Sequence, residues 1–167
     1  VGALDDAGGD LDAAIREALR PSELEGFVGP SGRRAGSAHK EVALLSLPQL
    51  LCLQLQRVTY DAEAGRARKL DASVAFPLRL DMGPYVSSGG NGGGWRYVLH
   101  AVLLHEGAAS SGHYQCVCRA GGGSGWVRLS DDDCEVADDD LVRRLCAGEV
   151  AAGAPYCLYY ARDDGGG

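Results

Sequence analysis

Several apolar segments of the chain alternate with the period of two that a half-buried β-strand requires. In LPQLLCLQLQRVTYD, Leu51, Leu53 and Leu55 alternate with one cysteine and two glutamines, so the leucines share one face of the strand. The segments WRYVLHAVLLHEG, HYQCVCRA, GWVRLS and YCLYYAR are rich in β-branched and aromatic residues, which favour strands. Glycine-rich runs at 89–94 and 121–125 separate some of these segments. The sequence therefore predicts an antiparallel, loop-rich sheet.

Helical patterns are few and short. Asp10 can cap a helix that Pro21 ends, and its apolar stripe consists of Leu11, Ala14, Ile15, Ala18 and Leu19. A second helix is predicted over Asp138 to Ala147, with acidic residues in its first turn and Gly148 after its last. Together with the strands, these two helices indicate an α+β fold.

Between the first helix and the first long strand the pattern is weaker. Ser22 and Glu25 have the spacing of a capping box, which predicts a short helical turn. Residues 26–40 contain mainly Gly, Ser, Arg and Pro without a hydrophobic period, so we expect an exposed connection.

A polar turn, DAEAGR, follows the first long strand. We expect the chain to return from it through residues 69–76. Arg66, Arg68 and Lys69 form a small basic cluster beside the turn, which we interpret as the solvated end of a hairpin and not as a phosphate site.

Length and charge exclude several classes of protein. A chain of 167 residues with 46% hydrophobic residues is expected to form one domain with a buried core. Its net charge of −7 argues against binding nucleic acid, which requires a basic surface. No apolar run is long enough for a membrane span, so we expect no membrane partner. Because it begins with Val1, we interpret the chain as a piece of a longer protein. Its oligomeric state does not follow from the sequence.

The six cysteines do not form a convincing disulfide framework. They are Cys52, Cys116, Cys118, Cys134, Cys146 and Cys157, and most of them lie inside apolar, strand-like runs, where a free thiol packs as a small hydrophobic group. We therefore expect reduced thiols and a location in the cytoplasm, the nucleus or both.

His113 lies in HEGAASSGHYQCVC, at the start of a predicted strand. A histidine there can be structural, or it can be a general base, because its pKa lies near neutrality and the preceding glycine lets a substrate backbone approach. A metal site with Cys116 and Cys118 conflicts with strand parity, since both cysteines are an odd number of residues away from His113. The residues alone leave the structural and the catalytic interpretation open, and they predict no metal or cofactor.

Five segments, taken in order, resemble the C-terminal half of the catalytic domain of ubiquitin-specific proteases, which are papain-like cysteine peptidases. LSLPQLLCLQLQR resembles the family's first long strand, and KLDASVAFPLRLDMGPYV resembles its Lys-Leu, Phe-Pro and Leu-Asp-x-x-x-Tyr segment. YVLHAVLLHEGAASSGHY resembles the histidine box, GWVRLSDDD the strand before the third catalytic position, and YCLYYAR the closing strand. The resemblance covers residues 10–162 of a single domain, 1–167, and leaves 163–167 as a flexible tail.

This resemblance implies a fold, a function and a site. The fold is a papain-like palm with an antiparallel sheet and partial fingers, with the thumb largely missing. The function is that of a deubiquitinase, a thiol isopeptidase that acts on ubiquitin and ubiquitinated proteins with His113 as general base. The implied tail channel for ubiquitin's Gly-Gly end lies on a loop from Glu106 to Gly112, and its lining residues are Glu106, Ser110, Ser111, Gly112 and Tyr114. His105 occupies a position where the family often has a structural histidine.

The chain also departs from the family pattern. No cysteine stands in the family's Asn-x-Gly-Asn-Thr-Cys-Tyr box, so we expect a piece that lacks the nucleophile and is inactive alone. The segment from Phe27 to Lys40 holds no Cys-x-x-Cys pair, which argues against the family's zinc ribbon. A catalytically inactive ubiquitin-binding or scaffold module remains an alternative, as does an unrelated β-rich adaptor.

The resemblance also implies a residue that orients the imidazole of His113. Counting from Trp126, the family's Asp or Asn falls on Ser130, and Asp131 follows it. A hydroxyl can accept the imidazole N–H, so we predict Ser130 as the direct partner and Asp131 as its competitor. Neighbouring residues of a strand face opposite sides, so both can reach His113 only if the strand ends there.

Overall fold

A computed structural model describes residues 9–34, 36–87, 94–121, 125–149 and 153–163. Helix α1 spans Leu11–Ala18, helix α2 spans Asp139–Cys146, and a short 3₁₀ turn lies at Gly83–Tyr85. The strands are β1 Gly9–Asp10, β2 Ser22–Glu25, β3 Ser37–Lys40, β4 Leu50–Gln54, β5 Val58–Asp61, β6 Arg66–Lys69, β7 Val74–Ala75, β8 Arg79–Asp81, β9 Arg96–Ala108, β10 Ser111–Arg119, β11 Trp126–Ser130, β12 Asp133–Ala137 and β13 Ala154–Arg162.

A seven-stranded antiparallel sheet organises the molecule, as the alternating segments predict. Its order is β12-β11-β10-β9-β13-β4, and β8 pairs with the beginning of β9. The long strand β9 therefore contacts three neighbours and lies at the centre of the sheet. The predicted α+β palm is confirmed.

The hydrophobic core lies between this sheet and both helices. Strand β4 buries Leu51 and Leu53 and exposes the three residues that alternate with them, which confirms the predicted alternation. The other core residues come from the central strands and from the helices, among them Leu11, Ile15, Val102, Leu104, Val117, Val142, Leu145, Leu158 and Tyr160.

Both helices begin and end where the sequence predicts. Asp10 caps α1 by accepting a hydrogen bond of 2.8 Å from the Ala13 amide, and Asp138 caps α2 through the Leu141 amide at 2.7 Å. Gly148 follows α2 with a φ of +81°, a conformation that favours glycine. Neither of these eight-residue helices is long enough to cross a membrane.

The segment from Ser22 to Lys40 differs from its prediction. Ser22 to Glu25 is a strand, not a helical turn, and it pairs with β3, which lies inside the predicted irregular connection. The four residue pairs between β2 and β3 stabilise the strand more than the Ser22–Glu25 capping box would stabilise a helical turn. This hairpin is almost entirely exposed, so no hydrophobic period marks it in the sequence.

The next hairpin, β5–β6, returns earlier than predicted, through Arg66–Lys69. A buried arginine holds the open end of this hairpin in place. Arg57 is 1% exposed and donates hydrogen bonds to the carbonyls of Leu70, Ala72 and Pro155. The guanidinium thereby connects the hairpin to strand β13.

Candidate functional site

The hairpin β9–β10 carries His113. Strand β9 ends at Ala108 and β10 begins at Ser111, so residues 109–110 form the turn and His113 lies opposite Glu106. The predicted loop over Glu106 to Gly112 is therefore mostly paired strand. This pairing fixes the position of His113 relative to the sheet.

The imidazole of His113 contacts the predicted partner. His113 Nε2 lies 2.8 Å from Ser130 Oγ, a hydrogen-bonding distance. The ring is 39% exposed, so one side is held by the protein and another faces solvent. With Nε2 bonded to the hydroxyl, Nδ1 is the nitrogen left for a proton transfer.

Asp131 lies beside the same ring because strand β11 ends at Ser130. The turn 131–132 connects β11 to β12, and Asp131 adopts a φ of +49°, the one positive φ among the described non-glycine residues. Asp tolerates this conformation better than most residues. Asp131 Oδ2 is 3.7 Å from His113 Nδ1, which suits charge attraction but is too long for a hydrogen bond. Both candidates thus reach the ring, through different nitrogens.

Gly112 is required by packing within the chain. A Cβ at this position would overlap the carbonyl oxygen of Glu106 and the ring of His105. Across the hairpin, Gly107 has a φ of +108°, and a Cβ there would lie 2.7 Å from the carbonyl oxygen of Ser111. The sequence interpretation assigned the space beside Gly112 to a substrate backbone, whereas on the Cβ side the chain itself occupies it.

The opposite face of the hairpin holds an aromatic cluster. The ring of His105 lies 4.7 Å from that of Tyr114 and 6.1 Å from that of Tyr156. His105 is 8% exposed, and burial lowers its pKa, with a further contribution from the positive charge of Lys69. These features agree with the structural role expected for His105.

The predicted channel residues divide between two environments. Glu106, Ser110, Ser111 and Gly112 are exposed along the hairpin end. Tyr114 is 50% exposed and belongs to the aromatic cluster, on the face opposite to His113. Their role in binding a substrate stays a prediction.

All six cysteines are free. Burial raises the pKa of Cys116 and of Cys146 to about 11, and it also raises that of Cys157. Cys116 is hydrogen-bonded to Cys118, which places both thiols on one face of β10, as strand parity predicts. No group of three His, Cys, Asp or Glu side chains in the described ranges is arranged to hold a metal ion.

Two polar residues near the hairpin have surroundings that the sequence interpretation did not predict. Lys69, expected at a solvated hairpin end, has a side chain that is only 8% exposed and binds the end of β9. Gln115 has a buried amide oxygen with no hydrogen-bond partner, two residues beyond His113 on the same face. The burial of these two side chains depends on how distant segments of the chain pack together. Such packing leaves no local pattern in the sequence.

The chain is similar in sequence and in fold to known proteins. The family model described as "Ubiquitin carboxyl-terminal hydrolase" matches residues 19–160. The chain is 37% identical over 129 residues to ubiquitin carboxyl-terminal hydrolase 48 of Rattus norvegicus, a match that covers 75% of the chain and 12% of the relative. It is 36% identical over 159 residues to ubiquitin carboxyl-terminal hydrolase 17-like protein B of Mus musculus, covering 90% and 31%. The chain thus spans less than a third of either relative.

A solved structure has the same fold. The SAGA Ubp8/Sgf11/Sus1/Sgf73 DUB module bound to ubiquitin aldehyde contains a chain that superposes with a TM-score of 0.71 at 24% identity. The match covers 94% of this chain and 36% of that one.

Proposed function

The chain belongs to the ubiquitin carboxyl-terminal hydrolase family, and we propose that it supplies the general base of a thiol isopeptidase that removes ubiquitin from conjugates. The contact of 2.8 Å between His113 Nε2 and Ser130 Oγ gives the strongest support. It joins two residues that were chosen from separate motifs, and it leaves Nδ1 for the reaction.

In this reaction Nδ1 of His113 takes the proton of a cysteine thiol. The thiolate attacks the carbonyl carbon of ubiquitin's last glycine, the bond to the lysine nitrogen breaks, and His113 returns the proton to the departing amine. Water then hydrolyses the thioester with the same histidine as base. Ser130 holds the ring orientation throughout.

Asp131 has a second role in the proposal. Its carboxylate lies 3.7 Å from Nδ1, on the side where the positive charge of the imidazolium develops. The side chain of Asp131 is 82% exposed, so solvent screens this attraction. We therefore assign the orienting role to Ser130 and a weaker electrostatic role to Asp131.

In this proposal the nucleophile comes from a segment outside this chain, because none of the six cysteines stands in the family's cysteine box. The raised pKa values of Cys116, Cys146 and Cys157 disfavour the thiolate form that the reaction needs. Glu106, Ser110, Ser111, Gly112 and Tyr114 remain the proposed contacts for the tail of ubiquitin. The six free thiols support a reducing location, the cytoplasm or the nucleus.

A ubiquitin derivative with a C-terminal electrophile tests the proposal. The purified chain should remain unlabelled, whereas a protein that joins this chain to a cysteine-box segment should form one covalent adduct that His113→Ala suppresses. Labelling of the chain alone that disappears on mutation of one of its six cysteines would contradict the proposal. If the joined protein binds ubiquitin but forms no adduct, the inactive binding module is the correct reading.

A further inference from the structure

The ammonium of Lys69 has three acceptors within hydrogen-bonding distance. Lys69 Nζ lies 3.1 Å from the carbonyl oxygen of His105, 2.9 Å from that of Gly107 and 3.1 Å from Asp71 Oδ1. A lysine has three N–H donors, so all of them can be used here. The side chain is 8% exposed, and hydrogen bonds from a charged donor are stronger than those between neutral groups.

The two carbonyls belong to the last residues of β9, one at the final pair with β13 and one beyond it. In the described residues, the pairing of β13 with β9 stops at Ala154 and His105. The ammonium of Lys69 thus binds two backbone acceptors at the end of β9.

The bound residues are coupled to His113 through the hairpin. Glu106, between the two carbonyls, pairs with His113, and Gly107 pairs with Gly112. The backbones at Gly107 and Gly112 approach so closely that neither position has room for a Cβ. Because of this close packing, a displacement of the end of β9 also moves the part of β10 that carries His113.

We propose that Lys69 is a positioning residue for His113, acting through the carbonyls of His105 and Gly107. The inference rests on the function proposed above, because it assigns Lys69 to the presentation of the general base. Lys69 touches neither the imidazole nor its partners Ser130 and Asp131. Its effect is to hold the hairpin end in the register that places His113 Nε2 against Ser130 Oγ.

The test is NMR on the full 167-residue chain without ubiquitin, so its outcome does not depend on catalysis. In the parent chain the ¹⁵N signals of the His113 ring should report one tautomer with the proton on Nε2. In Lys69→Met, which keeps the length of the side chain without its donors, we expect mixed tautomers and about 10-fold faster amide hydrogen exchange over residues 106–113. Lys69→Arg can still donate to both carbonyls, so it should keep the single His113 tautomer and the amide exchange rates of the parent chain.

Two controls separate positioning from general stability. Tyr160→Phe removes another side-chain hydrogen bond to a carbonyl, that of Pro77, and should lower the melting temperature without changing the His113 signals. Asp71→Asn removes the ion pair but leaves the carbonyl bonds, so the His113 signals should stay near those of the parent chain.

Unchanged His113 signals in Lys69→Met would overturn the inference, and so would equal changes in Lys69→Met and Tyr160→Phe. Failure of the proposed function would be seen elsewhere, in the ubiquitin adduct experiment.

Discussion

The two faces of strand β10 carry different ionisable side chains, and these side chains have different neighbours. On one face His113 is partly exposed and bonded to Ser130, with Asp131 close by. On the other face the free thiols of Cys116 and Cys118 are hydrogen-bonded to each other, and burial raises the pKa of Cys116 to about 11. The first face presents an imidazole to solvent and to polar partners, and on the second face burial disfavours the thiolate form of Cys116.

The two histidines of the hairpin show the same contrast. His105 is buried beside Tyr114 and Tyr156, while His113, near the start of the paired strand β10, is partly exposed and contacts two polar partners. Neighbours, more than residue type, decide which histidine is structural and which is a candidate base.

Removal of the imidazole is expected to have the largest effect. In an enzyme that joins this chain to a cysteine-box segment, His113→Ala should lower kcat by about 10²-fold or more, as loss of a general base does. Cys116→Ala, three residues away on the opposite face, should leave kcat unchanged. Steady-state hydrolysis of a fluorogenic ubiquitin conjugate measures both. An equal loss of kcat in His113→Ala and Cys116→Ala would mean that the two faces of β10 do not differ in function.

Thiol alkylation tests the cysteine face directly. A pKa raised from 9.0 to about 11 leaves about 10²-fold less thiolate at pH 7.5, and because the more basic thiolate is the stronger nucleophile, Cys116 should react about 10-fold more slowly than an ordinary thiol. Because the thiolate forms only at higher pH, its rate should keep rising up to about pH 11. Mass spectrometry after iodoacetamide treatment, with the exposed Cys134 as reference, gives the rates. A rapid reaction of Cys116 at neutral pH would contradict its assigned environment.

A methyl group at Gly112 should disturb the aromatic side of the hairpin. Gly112→Ala forces its Cβ against the carbonyl of Glu106 and the ring of His105, so we expect the free energy of unfolding to fall by about 1–3 kcal/mol. Gly121→Ala is the matched control, because nothing lies within 4 Å of a Cβ there. Urea denaturation measures both variants. Similar free energies of unfolding for the two would show that the hairpin has room that the structure does not indicate.

The smallest expected effect distinguishes the two partners of His113. In the joined enzyme, Ser130→Ala should lower kcat by about 10-fold, the value of a hydrogen bond to a group that becomes charged, and Ser130→Asn should preserve it. Asp131→Ala should change kcat only a few-fold, since its carboxylate is exposed and 3.7 Å away. If Ser130→Ala is silent while Asp131→Ala is severe, Asp131 is the orienting residue.

The sequence was sufficient wherever a local pattern has one physical solution. Alternation placed Leu51 and Leu53 on the buried face of β4, and the cap residues Asp10 and Asp138 marked the starts of both helices. The order of motifs identified the family, and the position of Ser130 predicted the partner of His113. Each of these follows from residues that are neighbours in the chain or from a recognisable motif.

Only the tertiary structure decided the features that join distant segments. The capping-box spacing at Ser22 and Glu25 gave a helical prediction, but pairing with β3 made this segment a strand. Lys69 was expected in solvent, yet it is buried against carbonyls 36 and 38 residues away. The sequence determined which residues can take part in strands, caps and proton transfer, because these depend on side-chain chemistry and local spacing. Which of them meet depends on strand register and packing, which only the folded chain specifies.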